Sequence, residues 1–240
     1  GNDDKSQAGY DLMIFIDKNN PNIVHVGGIN LWVSNDAGKT WTITGHWTGS
    51  GGNNEVHADQ HTFDYNPLNN TLYAGNDGGI YYTTDNGGLW TEISQGLGIG
   101  QMYKLGVSAT NVNKTVTGFQ DNGTATWMGE EWYSTGGGDG MECAVDPFDD
   151  RYSYTTIYYG DITRRINNSG GRKIAGEDVF GINEAGAWVT PFCIHEQNPN
   201  IMMIGFKNVW MSTNIKSDGS IIWRKISNNP GGDNDVNCSV

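Results

Sequence analysis

Five short apolar strands recur along the chain, each ending in glycine and each led in by a turn rich in Asp, Asn and Pro. Asp17-Lys18-Asn19-Asn20-Pro21 leads into Ile23-Val24-His25-Val26-Gly27, and Asp64-Tyr65-Asn66-Pro67 into Leu72-Tyr73-Ala74-Gly75. Asn111-Val112-Asn113 leads into Thr115-Val116-Thr117-Gly118, and Asp146-Pro147 into Tyr154 through Tyr159 and Gly160. Asn198-Pro199 leads into Ile201-Met202-Met203-Ile204-Gly205. The five glycines are spaced by 48, 43, 42 and 45 residues. A period of about 45 residues with several short strands per unit is what a propeller blade requires, whereas no stretch carries the 3.6-residue period of a helix.

The second half of each unit agrees. Ser34-Asn35-Asp36-Ala37-Gly38-Lys39-Thr40-Trp41 fits the Asp-box pattern Ser-x-Asp-x-Gly-x-Thr-Trp at every fixed position. Thr83-Thr84-Asp85-Asn86-Gly87-Gly88-Leu89-Trp90 fits with Thr for Ser and Leu for Thr. Ser212 to Trp223 is a stretched version, and Arg165 to Gly171 a degenerate one. The physics is that of a hairpin: the Asp accepts from turn N–H groups, Gly supplies a positive φ, and the Trp is expected to pack on the neighbouring sheet. Ser34, Asp36, Gly38, Trp41, Thr83, Asp85, Gly87 and Trp90 are therefore read as structural, and the two Asp not as catalytic acids.

The fold expected is an all-β propeller segment of four-stranded blades over 8–50, 51–98, 99–135, 136–182 and 183–228, with 229–240 beginning another. In the second unit the strands are expected at His57 to Asp64, Thr71 to Gly75, Gly79 to Thr84 and Leu89 to Ser94. The first inner strand is expected over Tyr10 to Asp17. Half-made blades leave sheet faces and edges open, so further blades are expected from the same chain or from a secretion or surface assembly.

Composition narrows the function. The 35 glycines beside 9 Trp and 11 Tyr suit short strands and tight turns. A formal charge of −13 repels phosphate backbones and anionic membranes, so nucleic acid is excluded as a partner. The longest apolar runs, Leu12 to Ile16 and Ile201 to Ile204, are strand-sized, far below the ~20 residues that cross a bilayer, so no membrane insertion is expected. Cys143, Cys193 and Cys238 lack zinc spacing and read as buried apolar thiols, with one of the odd count free or paired elsewhere.

Propeller ligands bind at one end of the central channel. There His57, Asp59 and His61 alternate on the expected inner strand and so point one way. Asp77, Gln120, Asp121 and Asp161 join them from the loops between second and third strands, and Asp139 from the lead-in to the fourth inner strand. These eight are the expected ligand-binding face for a glycan or peptide, or else a hydrogen-bond network that fixes the blades. His57, Asp59 and His61 are also the three donors that a metal ion would use; no cofactor is assigned beyond that. Glycoside hydrolysis needs two carboxylates across a cleft, ~5–10 Å apart, and Asp59 and Asp139 are the acids to test. Sialidase chemistry lacks its arginine triad, and no nucleophile elbow or P-loop is present. Trp47, Trp127 and Trp132 are read as packing between blades rather than stacking on sugars.

The residues form an ordered series: His57-Ala58-Asp59-Gln60-His61, Asn76-Asp77-Gly78-Gly79, Gly100-Gln101-Met102-Tyr103, Gly118 to Gly123, Gly137 to Gly140, and Trp188-Val189-Thr190-Pro191. The series resembles the bacterial sortilin-like Asp-box (BNR-type) propeller family, whose relatives include xyloglucanase-type glycoside hydrolases, and it covers about residues 20–228. The resemblance implies an exported, secreted or cell-surface protein, some relatives being similar to type IX secretion substrates. It implies a binding or adhesion module, with a polysaccharide hydrolase or a structural spacer as alternatives. The two catalytic carboxylates of xyloglucanase-type enzymes lie in different halves of a double propeller, so this segment is not expected to hold a complete pair.

Overall fold

The computed structural model describes residues 7–230. Its strands group in chain order into five antiparallel meanders, and the backbone falls into two compact units, 1–99 and 100–240. In the first unit, sheet one is β1 (Met13–Ile16), β2 (Val24–Gly27), β3 (Leu31–Ser34) and β4 (Thr42–His46). Sheet two is β6 (Gln60–Asn66), β7 (Thr71–Asn76), β8 (Gly79–Thr83) and β9 (Thr91–Glu92). A two-residue strand, β5 (Asn54–Glu55), falls in the stretch expected to open the second blade but pairs parallel with β4.

The second unit holds three sheets. Sheet three is β10 (Met102–Val107), β11 (Thr115–Phe119), β12 (Gly123–Trp127) and β13 (Trp132–Gly136). Sheet four is β14 (Cys143–Val145), β15 (Tyr152–Ile157), β16 (Asp161–Ile166) and β17 (Ser169–Ala175). Sheet five is β18 (Phe192–Ile194), β19 (Met202–Gly205), β20 (Val209–Ser212) and β21 (Trp223–Lys225). Repeated four-stranded meanders with no α-helix among the described residues are the blade architecture of a β-propeller, here a partial one of five blades.

The hairpins follow from local chemistry. Asp36 Oδ1 accepts from Ser34 Oγ at 2.8 Å and from the N–H groups of Lys39 and Thr40 at 3.0 and 2.8 Å, while Thr40 Oγ1 donates to Oδ2 at 2.7 Å. Ala37 and Gly38 take φ of 60° and 85° to close the turn. Asp85 repeats the arrangement with Thr83 and Leu89, and Asn214 does so with Ser212 and Ile222 across the longer loop. The degenerate unit solves the same problem differently: Asn167 and Asn168 both have positive φ, the requirement of a two-residue hairpin turn.

The Thr40 N–H, with smaller contributions from the Thr40 and Ser34 hydroxyls, lowers the Asp36 carboxyl to about 2. Its folded value lies below its unfolded one, so the turn's contribution is present above pH 4 and lost on acidification toward pH 2. Asp36→Ala is expected to lower the melting temperature clearly. Asp36→Asn, which keeps the Oδ1 acceptor as Asn214 does, is expected to lower it less; thermal denaturation of both variants checks this.

Packing within each unit is sheet against sheet. Phe15 of β1 meets Phe63 and Tyr65 of β6 at ring distances of 6.3 and 5.8 Å, over a core of Met13, Leu31, Val56, Leu72, Ala74, Tyr81 and Trp90. Trp90 reaches back to Thr44 Oγ1 of β4, and Trp223 to the carbonyl of Ile174 on β17. Trp41 departs from the expected pattern. It is 40% exposed, and its indole N–H bonds the carbonyl of Gly38 in its own turn.

The reason is visible in the register. Ile14, Ile16 and Trp32 of sheet one occupy the positions of Phe63, Tyr65 and Tyr81 in sheet two. Sheet two buries that face against sheet one, but in sheet one all three side chains stay exposed. Trp47 and Trp132 are likewise exposed rather than packed between sheets, and the β12–β13 register sets Trp132 opposite Trp127 at 5.6 Å.

The second unit's main core joins Tyr154, Ile162 and Ile174 of sheet four to Met202, Ile204, Phe206, Trp210 and Trp223. Cys143 fits the expectation of a buried thiol: it donates to the carbonyl of Val116 at 3.1 Å, and burial raises it to about 11. Cys193 does not, being exposed and free, because it sits on the outer face of β18 while Phe192 and Ile194 point to the core. Cys238 and the start of the expected further blade lie outside the described residues. No helix among the described residues is long and apolar enough to cross a membrane.

Candidate functional site

The expected inner strand from His57 begins only at Gln60. Asp59 has φ 62°, in the left-handed region, and the ladder with β7 slips between Gln60 and Thr62. A left-handed residue followed by a bulge breaks the two-residue period, so His57, Asp59 and His61 do not share one strand face. Buried Gln60 holds this lead-in, donating from Nε2 to the carbonyl of His57 at 2.5 Å and accepting from Asn76 Nδ2 at 3.3 Å. His57 turns under the β7–β8 loop, where its ring fills the space a side chain at Gly78 would need. Among the described residues its donor atoms do not join those of Asp59 and His61 as one ligand set.

Asp59, His61 and Asp77 do come together. His61 Nε2 lies 2.6 Å from Asp77 Oδ1, and Tyr10 donates its hydroxyl proton to Asp77 Oδ2 at 2.6 Å while its ring meets His61 edge-on. Gln7 Nε2 donates to Asp59 Oδ1 at 3.1 Å. Burial, then the charges of Asp11 and Asp77, raises the Asp59 carboxyl above the usual carboxylate value. Asp11 escaped the sequence reading because the first inner strand starts at Met13 rather than Tyr10, leaving Asp11 in the turn before it.

In the second unit, Gln120 and Asp121 sit in the β11–β12 turn, and Asp139 in the lead-in to β14. Gln120 Nε2 donates to Asp139 Oδ1 at 2.6 Å and to Asp121 Oδ1 at 2.8 Å. The Asp121 N–H, at φ 61°, donates to the same Asp139 oxygen at 2.9 Å. Asp161 is not part of this group; it is the first residue of β16 and pairs with Lys173 Nζ at 2.7 Å.

Four aromatic residues complete the group. Tyr103 donates its hydroxyl to Gln120 Oε1, and Trp188 Nε1 donates to the Tyr103 oxygen at 3.1 Å. Trp188 stacks on Tyr158 at 5.3 Å with an interplanar angle of 11° and meets Tyr159 edge-on at 5.6 Å. The rings of Tyr158, Tyr159 and Trp188 are 37%, 51% and 41% exposed, so they form a platform facing solvent.

The backbone builds this platform. Tyr158–Gly160 is a single 3-10 turn with Tyr159 at φ 62° and Gly160 at φ 86°. The Gly186 N–H bonds the Tyr159 carbonyl at 3.0 Å, and the Tyr159 N–H bonds the Trp188 carbonyl at 3.4 Å. Buried Phe206 lies beneath both loops, its ring in the space that side chains at Gly160 and Gly186 would take. The sequence reading ran Tyr154 through Tyr159 as one strand. Adjacent tyrosines before a glycine carried the missed signal: neighbours on a strand face opposite ways, whereas in a turn both can face out.

No family model matches the sequence, and no curated protein matches it. Among solved structures the chain is similar to a GH74 enzyme of Niastella koreensis (16% identity, TM-score 0.42, 88% of this chain) and to the GH74 xyloglucanase of Xanthomonas campestris (13%, 0.42, 88%). It spans 37% and 38% of those two chains. It is also similar to an auxiliary nutrient binding protein of Bacteroides thetaiotaomicron (10% identity, TM-score 0.42), with 70% of this chain and 42% of that one covered.

Proposed function

We propose that the chain is a glycan-binding module of a larger, exported bacterial surface protein, with the ligand seated on the platform of Tyr158, Tyr159 and Trp188. The observation that carries this is a solvent-facing, stacked aromatic group wired through Tyr103 to the Gln120–Asp121–Asp139 network. Sugar rings offer apolar C–H faces that lie on such rings and hydroxyls that bond carboxylates and amides at their edge. Export and surface location are supported by the ordered motif series of the sequence.

Binding is preferred to hydrolysis on a specific contact. A general acid or nucleophile needs its carboxylate turned to the scissile bond. Asp139 Oδ1 instead accepts from Gln120 and from the Asp121 N–H.

A glycan array followed by calorimetric titration tests the reading, with β-glucan and xyloglucan oligosaccharides as first ligands. Trp188→Ala is expected to weaken binding by about tenfold or more, as loss of an aromatic anchor does. Trp188→Phe should retain most of it, and no reducing ends should appear. Equal affinity in wild type and Trp188→Ala would remove the platform as the site.

A further inference from the structure

A cavity of about 280 Å³ opens between the first two sheets, where the β1–β2, β6–β7 and β8–β9 turns meet. All of its walls belong to the first unit. Half-buried Phe15 and buried Leu72 line its inner part, and exposed Asn19, Asn70 and Asn86 stand at its mouth, one from each turn. Tyr65 links the two levels: its ring stacks on Phe15 at 5.8 Å, and its hydroxyl donates to Asn70 Oδ1 at 2.7 Å. Pockets for drug-sized ligands run to roughly 300–1,000 Å³, so a cavity of this size takes a single ring-sized unit.

The turns hold the amides in place before any ligand arrives. Asp17 Oδ1 accepts from the N–H groups of Asn19 and Asn20 at 2.8 Å each, and Asp85 fixes the turn that carries Asn86. Among the described residues the Asn86 amide and Asn70 Nδ2 make no hydrogen bond, and Asn19 Nδ2 makes only a long one of 3.4 Å to the Tyr65 hydroxyl. A carboxamide offers a donor and an acceptor side by side with no net charge, which matches the hydroxyls of a sugar ring. The apolar wall matches the ring's C–H face. An anion would meet Asp17 and the chain's charge of −13, and a hard metal ion would find one carboxylate where it needs several.

We propose that this cavity is a second carbohydrate site, which seats one neutral hexose residue with its C–H face toward Phe15 and its hydroxyls on the amides of Asn19, Asn70 and Asn86. The site shares no residue with the aromatic platform of the second unit and does not depend on it.

Two-dimensional NMR of the asparagine side-chain amides on the full chain tests it, with the methyl glycosides of glucose, galactose and mannose as probes. At least one should move the Asn19, Asn70 and Asn86 signals saturably, with a Kd on the order of 1 mM, as a ligand of one sugar residue gives. Asn70 and Asn86 take φ of 54° and 59°, so Asn70→Gly and Asn86→Gly each remove an amide while keeping the turn. Each should hold its fold and weaken binding by about fivefold or more, as loss of one hydrogen bond does. If either variant does not fold, Tyr65→Phe makes the same comparison, because it keeps the ring stack and removes the hydroxyl that sets Asn70. The Trp188→Ala protein should show the wild-type shifts. Absence of a saturable shift with all three glycosides, or equal affinity in wild type and the variants, overturns the proposal. Loss of the shifts in Trp188→Ala does so as well, because it assigns the sugar to the platform instead.

Discussion

Lowering the pH from 6.5 to 4 is expected to cost the protein about 3 kcal/mol of stability, and His25→Leu to abolish most of that loss. His25 lies in the middle of β2, is 1% exposed, and has no hydrogen-bond partner on either ring nitrogen. Phe15 and Phe63 flank it at ring distances of 6.2 and 5.9 Å. Burial lowers its value from 6.5 to about 4, with the Asp17 charge opposing only in part.

The sign follows from which state takes the proton. Between pH 6.5 and 4 the unfolded chain protonates this histidine and the folded chain does not, so stability falls with pH across that window. Leucine keeps the apolar contacts and takes up no proton. It should also leave stability at neutral pH unchanged or higher, since neither ring nitrogen makes a bond in the fold. Urea titrations at pH 7.5 and 4.5 on both proteins measure the difference. An equally steep pH dependence in His25→Leu would show that another group controls it.

Phe206→Ala is expected to destabilise the protein by about 3–5 kcal/mol and to abolish glycan binding at the proposed site. The ring is fully buried at the centre of the second unit's core, with Ile204 and Trp210 among its cluster. Truncation leaves a cavity under Gly160 and Gly186, the two points where the platform loops rest. Chemical denaturation gives the stability loss. Titration below the melting temperature separates the two effects: folded variant with undiminished affinity would mean that the platform does not depend on Phe206 for its shape.

Much of the architecture was legible because it is encoded within a few residues. The strands expected to close at Gly27, Gly75, Gly118 and Gly205 end there or one residue beyond, at Asn76 and Phe119, and the turns at Asp36 and Asp85 have the bonds their residue types demand. The failures share a cause. A strand running on from His57 was a sound reading of alternation, but buried Gln60 bonds back to His57 and forces a bulge. Trp41 and Trp90 close octapeptides of the same pattern, yet one is exposed and the other buried, because burial depends on which sheet lies opposite. Asp161 looked equivalent to Asp77 by its place in the repeat until Lys173 took its carboxylate. The Trp188–Tyr158 stack joins positions on either side of β16 and β17, and no local period reports such a contact.

The indoles of Trp90 and Trp223 both reach toward a sheet that precedes them in the chain. Each such sheet therefore leaves the ribosome before the side chain that latches onto it, and a nascent chain can be completed in the direction of its own synthesis. A rearranged version of the chain that delivered Trp90 ahead of Thr44 would break that timetable while keeping every contact, and it should refold from denaturant as well as the natural order yet fare worse during translation.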